Sequence, residues 1–137
     1  MMKKVILIAV LALALAACGG SAVETAQITV TMKEFAYDPN PITVAAGTPV
    51  EITLVNEGAV EHDFVIEVIS VTDVSMDGAM EDHEMSGDHE EFDLHTSTPA
   101  GESSTLTFTP TEPGTYQIFC SVPGHKEAGM VAELIVK

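Results

Sequence analysis

The sequence predicts an all-β fold, a Greek-key β-sandwich of seven to eight strands, on three observations. Apolar residues alternate with polar ones at period two in several short runs, Gly, Pro and Asn turns punctuate those runs at short intervals, and no apolar period of a helix runs through residues 26–137. Gln27 to Met32 alternates as a half-buried strand does, and Asp38-Pro39-Asn40-Pro41 then turns the chain. Ile42-Thr43-Val44 is a short strand and Ala46-Gly47 a second turn. From Val50 to Val55 the alternation returns, with Val50, Ile52 and Leu54 on one face. The β-branched run Asp63 to Ile69 suits a strand buried between two sheets. Residues 104–108, 115–120 and 131–136 supply the last three strands, with a helical turn expected only near 126–130.

About residues 73–95 the pattern breaks. Nine acidic residues fall between Asp73 and Asp93, interleaved with Met76, Met80, His83, Met85 and His89, with His95 just beyond. No apolar period survives there, so the segment reads as a solvated acidic insertion. Its thioethers suit Cu(I) and its imidazoles Cu(II), which makes Met76, Met80, His83, Met85 and His89 a candidate secondary copper patch. A plain charged face is the competing reading.

The N-terminus has a separate character. Lys3 and Lys4 precede an uncharged apolar run from Val5 to Ala17, too short to span a bilayer but of signal-peptide length. Leu15-Ala16-Ala17-Cys18-Gly19 resembles the bacterial lipobox, which implies cleavage before Cys18 and lipidation of that cysteine. The expected organisation is a lipoprotein signal peptide (1–17), a lipidated tether (18–25) and one β domain (26–137). The chain is then exported and anchored to a membrane, facing the periplasm or the cell exterior. From Cys18 onwards all 21 acidic residues stand against Lys33, Lys126 and Lys137, with no arginine anywhere. So acidic a surface argues against nucleic acid as a partner and suits a basic protein.

If Cys18 is acylated, Cys120 is left without a disulfide partner, and an exported lone thiol needs protection or use. Its setting supplies a use. Cys120, His125 and Met130 are spaced five residues apart along Cys-Ser-Val-Pro-Gly-His-Lys-Glu-Ala-Gly-Met, directly after a predicted strand. Thiolate, imidazole and thioether together favour copper over calcium or magnesium. Pro123-Gly124 can fold the loop back on itself, and Gly129 relieves crowding before Met130. A further imidazole from a distant strand start would complete a trigonal plane, and His62 stands at such a place. A structural zinc site would want more cysteines. An acyl-transfer pair would need an oxyanion loop, and none is apparent.

Together these features resemble the cupredoxins, the blue-copper family, in its auracyanin and plastocyanin-like branch. The resemblance rests on Gly114-x-Tyr116-x-x-x-Cys120, the Cys-x4-His-x4-Met loop, and an upstream histidine after Asn56-x-Gly58, and it covers roughly residues 26–137. It implies one type 1 copper ion with His62, Cys120 and His125 in the trigonal plane and Met130 as the weak axial ligand. It also implies a non-enzymatic role: single electrons pass between redox proteins through the edge of His125 and an apolar rim including Val122 and Pro123. A basic partner such as a c-type cytochrome and a monomeric state are expected. The rival expectation is a copper-binding or delivery protein that works through the Met/His segment. In the family an Asn usually follows the first histidine ligand, whereas this chain has Asp63, whose carboxylate can accept a bond from the Ser121 hydroxyl but donates none when ionised.

Overall fold

A computed structural model of the chain describes residues 23–77 and 92–137. Ten strands form two five-stranded sheets. The first sheet contains β1 (Ala26–Lys33), β2 (Ala36–Asp38), β4 (Val50–Asn56), β6 (Val71–Asp77) and β8 (Ser103–Pro110), in the order β2-β1-β4-β8-β6. The second contains β3 (Ile42–Val44), β5 (His62–Ile66), β7 (Leu94–Thr98), β9 (Gly114–Phe119) and β10 (Val131–Val136), in the order β3-β10-β9-β5-β7. Two pairings are parallel, β1 with β4 and β3 with β10, and the others are antiparallel. The all-β sandwich expected from the alternation is therefore present. Among the described residues no helix is long and apolar enough to cross a membrane.

The strand count exceeds the seven to eight expected; the strands with no counterpart in the expected runs are β2, β6 and β7, and each lacks a clear apolar pattern for its own reason. β2 has three residues, of which only Tyr37 is buried. β6 lies at the edge of its sheet and is mostly exposed, with a bulge between Thr72 and Ser75 where Asp73 takes φ 55°. Only its ends, Val71 and Met76, reach the core, so no alternation in hydropathy marks β6. β7 does alternate, but two of its three inward positions are Thr96 and Thr98, which carry little apolar signal. The expected insertion is accordingly shorter: residues 73–77 and 94–95 belong to strands, and β5 stops at Ile66 rather than continuing to Ile69. Residues 123–129 form successive turns, which take in most of the stretch where a turn is expected.

The core lies between the sheets. Val30, Met32, Ile52, Leu54, Phe64, Leu106, Phe108, Ile118 and Leu134 are all buried there, the inward half of each alternating strand. Gly114 has a packing reason: a Cβ there would stand 3.2 Å from the Tyr116 ring, whose hydroxyl donates to the Glu112 carbonyl at 2.9 Å. That bond pins the entry to β9, the strand that delivers Cys120.

Candidate metal centre

The strand ends at one pole of the sandwich bring the three strongest ligand types together. His62 opens β5, Cys120 directly follows β9, and the segment after Cys120 returns through His125 to Met130, the residue just before β10. One ligand atom from each of His62, Cys120 and His125 falls within 4.8 Å of the others. Cys120 Sγ lies 3.4 Å from His125 Nδ1, and the two imidazole rings are 5.1 Å apart at 55°. Met130 is fully buried at the end of the same segment.

Backbone bonds shape that segment. His125 N–H donates to Val122 O (3.0 Å), Ala128 N–H to Gly124 O (3.1 Å) and Gly129 N–H to Lys126 O (3.0 Å). Met130 N–H then donates to His125 O (2.9 Å) and Cys120 N–H to Met130 O (3.3 Å), which joins the two ends. Gly124 and Gly129 take φ of 87° and 100°, conformations a side chain would disfavour. The other histidine is delivered by an Asx turn. Asn56, almost fully buried, donates its amide to Val60 O and Thr98 O at 2.8 Å each, and its Oδ1 accepts the Gly58 N–H at 2.9 Å. Gly58 lies so close to His62 that an added Cβ would stand 2.6 Å from Nε2, so a larger residue there would push the imidazole from its place.

The donor set fits a metal. Both ring nitrogens of His62 are buried with no hydrogen-bond partner, a costly state for an imidazole unless something else takes a lone pair. Burial, and then the neighbouring His125, push the His62 pKa down, which keeps the ring in its neutral ligating form. Burial raises the Cys120 thiol pKa, while N–H groups of Asp63 and Val122 act the other way by favouring the thiolate. The Asp63 N–H points at Cys120 Sγ at 3.3 Å. A soft thiolate with two imidazoles and a thioether suits copper.

Asp63 sits at the hub of a polar network that joins the two ligand-bearing strands. Its side chain is buried; Ser121 Oγ donates to its Oδ2, and His95 Nε2 lies 3.5 Å from the same oxygen. Burial alone would raise its pKa, but bonds from His95, Ser121 and Ser97 outweigh that and hold the carboxyl below its usual range. The Tyr37 hydroxyl donates to the Asp63 carbonyl at 2.6 Å. Neither Tyr37 nor His95 stands out in the sequence as part of this centre, since both act from strands distant in the chain. The Lys126 ammonium lies 3.9 Å above the ring of Phe119, next to Cys120 in the chain.

The secondary patch divides. Met76 belongs to β6, where its partly buried side chain packs against the core rather than standing in a loop. Met80, His83, Met85 and His89, like Cys18, lie outside the described residues.

A cupredoxin-like domain model matches residues 5–136. The chain belongs to the cupredoxin-like family. By sequence this cupredoxin is 31% identical over 102 residues to the copper-resistant cuproprotein CopI of Rubrivivax gelatinosus, an alignment covering 74% of this chain and 59% of that protein. It is 28% identical over 136 residues to auracyanin-A of Chloroflexus aurantiacus, with 84% of each chain covered. Among solved structures it resembles the dithionite-reduced auracyanin of Roseiflexus castenholzii, with a TM-score of 0.60, 25% identity, and 81% and 96% of the two chains covered. The cofactor of this cupredoxin is one copper ion, for which His62, Cys120, His125 and Met130 are arranged as a candidate type 1 site.

The buried Asp63 carboxylate sets up a measurable effect. A negative charge beside Cys120 favours the more oxidised state of a metal held there. In a partly screened interior it is worth on the order of 1–2 kcal/mol, or roughly 50–100 mV for a one-electron couple. Asp63→Asn is therefore expected to raise the reduction potential by about that much. Protein-film voltammetry of both forms checks this, and an unchanged or lowered potential would rule the effect out.

Proposed function

We propose that this cupredoxin carries single electrons between redox proteins, using a copper ion that His62, Cys120, His125 and Met130 would hold. The observation that carries the reading is the convergence of the first three on one point beside the buried Met130. Copper supplies a one-electron couple whose two states both suit this mixed sulfur and nitrogen donor set. The chain's own residues do the rest. Asn56 and Gly58 fix the approach of His62, and the self-bonded segment from Cys120 to Met130 fixes the other three. Four protein ligands leave no position for a substrate, so catalysis at the metal is not part of the proposal. The similarity to an auracyanin described in a dithionite-reduced form supports a redox role.

The exit for the electron in this reading is the partly exposed edge of His125, and the acidic surface steers a basic partner of the c-type cytochrome kind to it. Lipidation at Cys18 would hold the monomeric domain at a membrane surface on the exported side. Electronic and EPR spectra of the copper-loaded protein test the central claim. An intense thiolate-to-copper band in the visible, narrow copper hyperfine splitting and a reversible one-electron couple are expected. A weak spectrum of the ordinary square-planar kind would refute it.

A second reading, copper binding or delivery through the Met/His segment, draws support from the name of the CopI relative, a copper-resistant cuproprotein. Removing residues 78–91 discriminates: binding that stays at one copper per chain, with no change in transfer to acceptor proteins, removes that reading.

A further inference from the structure

The turn between β1 and β2 holds an oddity that neither burial nor backbone ease explains. Phe35 is 46% exposed, yet its φ is 61°, in the left-handed region that bulky residues avoid. A glycine or asparagine would be the ordinary choice for such a turn. The ring that the strain places is not idle. It stands against the His125 imidazole in a T-shaped arrangement, with centroids 5.5 Å apart and planes at 87°. Such pairs are favourable beyond the area they bury.

The same turn is fastened to the loop that delivers the other histidine. Glu57 N–H donates to Met32 O at 2.9 Å, Lys33 Nζ pairs with Glu57 at 3.2 Å, and Ala59 N–H donates to Glu34 Oε1 at 2.6 Å. Glu34 and Phe35, adjacent in sequence, thus hold the approaches to His62 and His125 respectively. The two imidazoles face one another at 5.1 Å, so this turn spans the pair from outside the sheets.

We propose that the Glu34–Phe35 turn is an outer brace for the metal centre, in which Phe35 is a positioning residue that holds the His125 ring in its ligating orientation before metal arrives. His125 is reached from one short segment rich in turns, and on its outer side the Phe35 ring limits its rotation. Backbone strain at an exposed aromatic is retained where the surroundings enforce it, here the three fastenings to residues 57–59. The proposal rests on His125 being a copper ligand.

The test uses the full protein with Phe35→Gly, Phe35→Leu and Phe35→Tyr. In metal-free protein, NMR of the His125 ring is expected to show one sharp set of signals for the native chain and Phe35→Tyr. Exchange-broadened signals are expected for the glycine and leucine variants. Copper release to excess chelator is expected to quicken by about three- to tenfold in those two, the range an aromatic pair is worth, and to return to within about twofold of native in Phe35→Tyr. Metal-free Phe35→Gly is expected to melt no lower than the native chain, because glycine accepts φ 61° without strain. Should it melt lower, the comparison of leucine with tyrosine, which keep bulk and differ in the ring, carries the test. Sharp His125 signals in Phe35→Leu, or copper release unchanged from native, would overturn the proposal. A chain that took up no copper would instead remove the reading of the site, and the metal-free spectra would still decide the brace.

Discussion

Cys120→Ser is expected to abolish the intense visible absorption of the copper-loaded protein and its reversible one-electron couple, while leaving the metal-free fold intact. A serine hydroxyl is a hard donor that stays protonated near neutral pH, so the covalent thiolate interaction behind such a band has no substitute. Two imidazoles and a thioether remain, which bind Cu(II) more weakly and with a flatter geometry. The fold tolerates the change because serine is slightly smaller and can accept the Asp63 N–H that now points at the sulfur. Absorption and EPR spectra together with circular dichroism measure both halves. A visible band that survives in a folded variant would mean that Cys120 is not the ligand.

Phe64→Ala is expected to destabilise the metal-free protein by about 3–5 kcal/mol, the range for removing a fully buried aromatic ring, and to lower its Tm by at least about 10 °C. Phe64 has no exposed surface and packs edge-on against Tyr37, with ring centroids 6.2 Å apart. The cavity would open directly beneath the start of β5, two residues from His62, and beside the Tyr37 hydroxyl that holds the Asp63 carbonyl. Copper binds only the folded form, so it stabilises both proteins by mass action. The rise in Tm on adding copper is expected to be smaller in the variant, because the cavity loosens the strand that positions His62. Calorimetric scans with and without copper give both numbers. An equal rise in the two proteins would show that packing under β5 is independent of the site.

The residues that made the fold and the centre legible in the sequence are those whose signal is local. Val50, Ile52 and Leu54 announce a strand by their own spacing, and all three are buried inward. The Cys120 to Met130 segment carries its ligands and its turn residues within eleven positions, so chemistry and geometry can be read together. What stayed hidden depends on pairing across the chain. β1 runs parallel to β4, and β3 to β10, and no period in a single strand encodes a choice of neighbour. β7 was hidden because its inward positions include Thr96 and Thr98, and β6 because an edge strand needs no apolar face. The same holds for Tyr37, His95 and Phe35. Each is an ordinary residue in its own segment and becomes part of the centre only when the sheets close.

In the sequence the acidic Met/His segment lies between β6 and β7, and those two strands are the outermost members of their respective sheets. A connection between two borders interrupts no ladder of backbone bonds, and the entropy of closing it grows only logarithmically with length, by roughly 0.6 kcal/mol per doubling. The sandwich is therefore nearly indifferent to how many residues join the two borders or what they are. Such a junction is where lineages can add or lose sequence without renegotiating the core, and where an engineer could graft a foreign metal-binding or recognition peptide and keep the copper centre undisturbed.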